Sequence, residues 1–239
     1  WRAFFREYEL PIRVNPELVP TLPPFPAFLR AKDRDSFPAM LFQLAQNKEW
    51  GRALARLDRA PSGNRSDREK IARRLLRVDL LLRRGMIEEA QDLLRDMEGE
   101  DKDPYSSALQ YFRAYAAAAE GNGYLGFARA QDLRFSGQAP ADWREYAKLL
   151  RIETALASGH EKTAYALASE PTHKDFPDRE MLELRKAQAA FAMGRRERAA
   201  KRLRGFSRSL LRDHPSALAQ LARFSYEREN YGDALQRYS

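Results

Sequence analysis

Gly121-Asn-Gly123-Tyr-Leu-Gly126 has the G-x-G-x-x-G spacing that lets a backbone wrap the pyrophosphate of a dinucleotide. That chemistry needs a strand before the glycines and a helix after them. What precedes them is Tyr111-Phe-Arg-Ala-Tyr-Ala-Ala-Ala-Ala119, a run of helix formers. The spacing therefore predicts a glycine-rich turn between helices and no cofactor. His160, His173 and His214 do not cluster, and none has a ligand-type partner four residues away, as a helical zinc site requires. No metal site is expected. Cysteine is absent, which removes thiol nucleophiles, disulfides and thiolate metal sites. There is no G-x-S-x-G elbow. Glu88-Glu89 reads as a helix start favoured by the dipole, and Asn64-Arg-Ser66 as a loop and N-cap rather than a glycan acceptor. No catalytic constellation emerges, so the chain reads as non-enzymatic, without cofactor or small-molecule substrate.

Charge and aromatic surface are more informative. Residues 194–213 carry eight Lys or Arg against Glu197 and Asp213, a net +6. Their apolar members Ala199, Leu203, Phe206 and Leu210 form one stripe, which leaves the basic residues outward. Arg195, Arg198, Arg202 and Arg208 are thus candidate partner-binding residues for an acidic protein or an anionic membrane surface. Nucleic acid is disfavoured, because the run lacks interleaved aromatics for base stacking. Residues 65–84 are also basic, at +5, and residues 88–103 are acidic, at −6; both read as solvated helix faces. Tyr111, Phe112, Tyr115, Tyr124, Trp143 and Tyr146 concentrate aromatics in the middle of the chain. Most should fill the core, while Tyr111, Tyr115 and Trp143 are candidate anchors lining a binding groove.

These residues need a scaffold, and the composition restricts it. Val, Ile and Thr number only 11 in 239 residues, and sheets depend on β-branched residues. An all-β or doubly wound fold is excluded. The composition is 44% hydrophobic and 32% charged, with net charge +8, a globular balance. No apolar run approaches the roughly 20 residues that span a bilayer. From about residue 34 apolar residues recur at spacings of three and four, the helical period. Leu75, Val78, Leu82 and Gly85 lead to Ala90; Leu149, Ile152, Leu156 and Gly159 lead to Ala164; Leu184, Ala187, Phe191 and Gly194 lead to Ala199. Weaker copies run from Leu41 and Ala45 to Ala53, and from Ala222 and Tyr226 to Ala234. Tyr111, Ala114, Ala118 and Gly121 lead to a small residue at Gly126 or Ala128.

These anchors lie 35 to 38 residues apart. Each glycine is expected to supply a left-handed turn after a first helix, and each small residue to sit where a second helix crosses it. Pro61, Pro104, Pro140, Pro177 and Pro215 punctuate the same period before new helices. Ser66-Asp-Arg-Glu69 reads as a capping box, Asp142-Trp-Arg-Glu145 as a variant of it, and Asp103-Pro104 as N-cap and N1.

Gly85-Met-Ile-Glu-Glu-Ala90, Asn230-Tyr-Gly-Asp-Ala234 and Trp50-Gly-Arg-Ala53 with Leu57, Ala60 and Pro61 resemble the helix-turn-helix core of the tetratricopeptide repeat (TPR) family. The resemblance covers roughly residues 34–239. It departs from the family where the first-helix aromatic and Leu-Gly pair are replaced, as by Leu75 and Val78-Asp79. It implies an all-α, right-handed α-solenoid of about six TPR-like repeats, a single helix pair being unable to bury both its apolar faces. It also implies a scaffold or adaptor that binds other proteins. In bacteria such domains often support membrane-associated assemblies, which leans the location to the periplasmic side of a membrane. The alternatives are an anionic-polymer or nucleic-acid binder using residues 195–212, and a regulatory segment of a larger enzyme.

Residues 1–33 stand apart. They hold six of the 13 prolines, among them Pro20, Pro23, Pro24 and Pro26, so Pro11 to Pro26 should be extended. A free linker would be richer in Gly and Ser. Leu22, Phe25, Phe28 and Leu29 favour an arm packed on the helices or on a neighbour. Trp1, Arg2, Phe4, Phe5 and Arg6 would suit a position beside a membrane. The start at Trp1 and the end within an amphipathic stretch suggest a piece of a longer chain, cut before its last repeat is complete.

Overall fold

The computed structural model describes residues 20–29, 31–59, 66–99, 105–133, 141–206, 217 and 219–220. Among them every regular element is helical: α1 (Ala31–Arg34), α2 (Ala39–Gln46), α3 (Trp50–Arg59), α4 (Asp67–Arg83), α5 (Ile87–Arg95), α6 (Ser106–Ala119), α7 (Gly123–Gln131), α8 (Ala141–Ala157), α9 (Glu161–Leu167), α10 (Arg179–Ala192) and α11 (Arg196–Leu203). No described helix is long and apolar enough to cross a membrane. The chain forms two compact units, one from Val19 to Leu150 and one that includes the residues from Arg151 onward.

Among the described residues one turn geometry recurs five times. After α4 the Gly85 N–H donates to Leu82 O and the Met86 N–H to Leu81 O, and Gly85 has φ +72°. Gly121 and Asn122 after α6, Gly159 and His160 after α8, and Gly194 and Arg195 after α10 make the same pair of bonds, with glycine φ of 93°, 76° and 80°. This is the Schellman termination, which a left-handed residue permits. The next residue is already the N-cap of the following helix. Lys48 after α2 takes the glycine's place at φ 59°, its N–H donating to Ala45 O and that of Glu49 to Leu44 O.

Five residues beyond each of these five left-handed positions stands a small, buried residue. Ala53, Ala90, Ala164 and Ala199 are wholly inaccessible. In α7 the position is Gly126, where an added Cβ would lie 2.8 Å from Ala118 Cβ and 3.0 Å from its backbone nitrogen. Ala128 is exposed, which resolves the register left open between the two. It also accounts for the dinucleotide look-alike. Gly121 is the left-handed residue, Asn122 caps α7 by accepting from the Leu125 N–H at 3.0 Å, and Gly126 lets two helices touch.

In the unit from Val19 to Leu150, α2 packs on α3, α3 on α4, α4 on α5, α5 on α6 and α6 on α7, and α4 also meets α6. The first-helix residues Leu75, Val78, Leu82, Tyr111 and Ala114 form its interior. In the other unit α10 packs on both α9 and α11. Leu184, Ala187, Phe191, Ala199, Ala200 and Leu203 are its core, flanked by Tyr165, Met181 and Phe206. The Ser66 box forms as expected: Ser66 Oγ accepts from the Glu69 N–H and Glu69 Oε2 from the Ser66 N–H. Asp142 is not an N-cap, since α8 already begins at Ala141. Asp103-Pro104, Pro61, Pro140, Pro215, His214 and the copy ending at Ala234 lie outside the described residues, as do residues 1–19.

Candidate partner-binding surfaces

The described part of the proline-rich segment is bound to its own helices. Pro20 to Pro23 run without regular structure, and from Pro24 the chain folds into successive turns rather than staying extended. The Ala27 N–H donates to Pro24 O at 2.7 Å and the Leu29 N–H to Pro26 O at 3.0 Å. Two helix side chains grip its backbone: Arg83 donates to Pro23 O, and the Tyr111 hydroxyl donates to Thr21 O at 3.0 Å. Two aromatic side chains are seated. The Phe25 ring lies 6.3 Å from Phe42 and 6.4 Å from Trp50. The Phe28 ring lies 5.6 Å from Phe112, 6.2 Å from Tyr105 and 6.3 Å from Trp143, near edge-on, the arrangement favoured by the ring quadrupole.

This seat overturns part of the expectation for the aromatics. Tyr111, Tyr115 and Trp143 are 0%, 3% and 1% exposed, so none is a surface anchor. Tyr111 and Trp143 do meet, at 4.9 Å between rings. Phe28 packs against Trp143 and Phe112, and the Tyr111 hydroxyl is engaged by Thr21 O.

Arg83 organises one side of the seat. Its Nε donates to Asp79 Oδ1 at 2.8 Å, one helical turn earlier. Its guanidinium lies 5.1 Å from the Trp50 ring and 5.8 Å from the Phe25 ring, a cation–π arrangement. Asp79 is 2% exposed. Burial pushes its carboxyl up to about 6, against the opposing pull of Arg83. On the other side Asp33 accepts from Arg68 at 2.8 Å and from the Tyr105 hydroxyl at 3.0 Å. Burial raises the Tyr105 phenol to about 12, with Arg68 opposing and Asp33 assisting. The sequence carried a signal for the first pair, two opposite charges at i and i+4 inside Val78-Asp-Leu-Leu-Leu-Arg83. Phe25, Phe28, Phe42 and Trp50 had no local signal that would bring them together.

The basic candidates divide. Arg195 is exposed and stacks over Tyr165 at 5.1 Å. Arg202 is half-buried and reaches Glu183 Oε2 of α10 at 3.2 Å. Arg198 and Lys201 stand exposed on α11. Arg208 lies outside the described residues. A cleft of about 470 Å³ among α5, α6 and α7 is lined by Gln91, Arg95, Arg113, Glu120, Arg129 and Asp132. Part of its polar lining is already paired: Gln91 donates to Glu120 at 2.8 Å, Arg113 to Met97 O at 3.2 Å and Arg129 to Arg113 O at 3.3 Å. Among the described residues no cluster of His, Asp and Glu could hold a metal ion.

No protein-family model, curated protein or solved structure matches this chain.

Proposed function

We propose that this protein is a non-enzymatic scaffold that binds other proteins, its helical hairpins stacking as a TPR-like, right-handed solenoid of about six repeats. One observation carries the reading. The helices of residues 31–150 hold a ten-residue non-helical segment by two backbone carbonyls and two aromatic side chains. Contacts to carbonyls read any chain, and ring pockets read particular residues, a division typical of peptide recognition. The five identical turns and the fixed interval to a small residue support the stacked arrangement, since each hairpin then offers its neighbour the same faces. The exposed Arg198 and Lys201 on α11 give an acidic partner a second place to dock. The family resemblance favours a role as accessory subunit of a larger, membrane-associated bacterial assembly.

The test is purification of the tagged full-length protein from its native cell, followed by rebuilding of the recovered complex from purified components. A stoichiometric protein partner is expected. Recovery of nucleic acid, with binding that falls steeply as salt rises, would replace the scaffold with the anionic-polymer reading.

A further inference from the structure

We propose that the seat formed by Phe42, Trp50, Arg83, Tyr111, Phe112 and Trp143 is a binding site for proline–aromatic peptide segments of a partner protein, and that residues 20–29 are its tethered, displaceable occupant. This rests on the protein-binding reading and names its ligand chemistry: a Pro-Pro-Phe-Pro-x-Phe segment, read from Pro23 to Phe28.

Part of the seat is held in place by partners on its own helices. Asp79 holds Arg83 from within α4, and Asp33 with Arg68 holds the Tyr105 hydroxyl. The occupant is folded in part on itself. Its hydrogen bonds from Ala27 and Leu29 close within the segment, and its prolines limit the freedom lost on docking. Arg83 and Tyr111 hydrogen-bond to carbonyls of the segment, acceptors that a partner's chain supplies equally well. Trp143 is 1% exposed, yet its indole N–H finds no acceptor in the structure. A buried donor without a partner is costly, and a partner segment with a carbonyl at that place would satisfy it. Tethering gives residues 20–29 an effective concentration in the millimolar range, so a competing partner has to displace them rather than enter an empty site.

The experiment uses the full-length chain and a fluorescein-labelled peptide of residues 20–29, read by anisotropy. Wild type should take up the peptide weakly. The Phe25→Ala/Phe28→Ala chain, its own occupant weakened, should bind it at least about tenfold more tightly, and a peptide with both phenylalanines replaced by alanine should lose that gain. A double variant with wild-type helicity and a cooperative melt but no tighter uptake would overturn the proposal. Hydrogen exchange of the wild-type chain gives a check that needs no variant. The Ala27 and Leu29 amides should exchange much faster than those of α4 and α6, whereas equal protection would make the segment a permanent part of the core and overturn displacement. A doubled mass by light scattering, lost in the double variant, would assign the seat to a second copy of the chain instead. These failures leave a stoichiometric protein complex in the native-cell purification untouched, whereas failure of that purification removes the scaffold reading whatever the peptide does.

Discussion

At the scale of single residues, the positions that matter are those where backbone geometry or burial leaves no alternative. Gly126 meets Ala118 backbone as well as its side chain, and backbone cannot swing aside. Gly126→Ala should cost about 1–3 kcal/mol in urea denaturation, while Ala128→Leu on the exposed face stays within about 0.5 kcal/mol. Lys48 is the converse case, a non-glycine residue in the left-handed region. Lys48→Gly should stabilise by about 0.5–1 kcal/mol, the strain relieved outweighing the added chain entropy, and the denaturation midpoint reports it. Asp79 sets a pH dependence. Its carboxyl rises from 3.8 to about 6 on folding, so the folded chain keeps a proton that the unfolded chain has shed. The stability tied to that proton is complete below about pH 4 and is lost as pH rises through about 6. Denaturation across that window should show wild type losing stability relative to Asp79→Asn, by at most about 1.4 kcal/mol per pH unit.

At the scale of elements, the crossings decide. Ala164 and Ala199 have no accessible surface, and replacing either with leucine should overpack its site by about 1–3 kcal/mol; unchanged melting of both variants would contradict the crossings. This layer was the most legible in the sequence. A Schellman turn and a small residue five positions later are local features, and local features write themselves as residue types at fixed spacing. The one turn without that signature, at Lys48, was visible only through Leu41, Ala45 and Ala53. The candidate site was legible only in part. An aromatic at helical spacing reveals that it faces inward, but not whether a groove or another segment meets it there. Tyr111 and Trp143 were therefore picked out as groove-lining anchors and are buried instead, Trp143 against Phe28, which lies 115 residues before it in the chain. Contacts of that range leave no periodic trace.

At the scale of the whole molecule, the low count of β-branched residues already argued against an all-β or doubly wound fold, and every described regular element is a helix. Each unit contains a buried ion pair. Beside Asp79–Arg83 in the first, Glu153 and Arg185 pair at 2.9 Å in the second, where Arg185 also donates to Gln188 at 2.9 Å. Glu153→Ala would strand a buried guanidinium and should cost about 3–5 kcal/mol, with hydrogen exchange accelerating across α10. Replacing both partners with apolar residues should recover most of that loss. The recurring turn, finally, governs where this chain can absorb changes of length. From left-handed residue to small residue the count is always five, at 48–53, 85–90, 121–126, 159–164 and 194–199, while successive small residues drift between 35 and 38 apart. One residue inserted inside the five would rotate the following rod by about 100° and swing its greasy side toward water. The variation falls instead in the stretch from each small residue to the next left-handed one, 32, 31, 33 and 30 residues in turn, so a fluorescent reporter or an affinity handle belongs there and never inside the five.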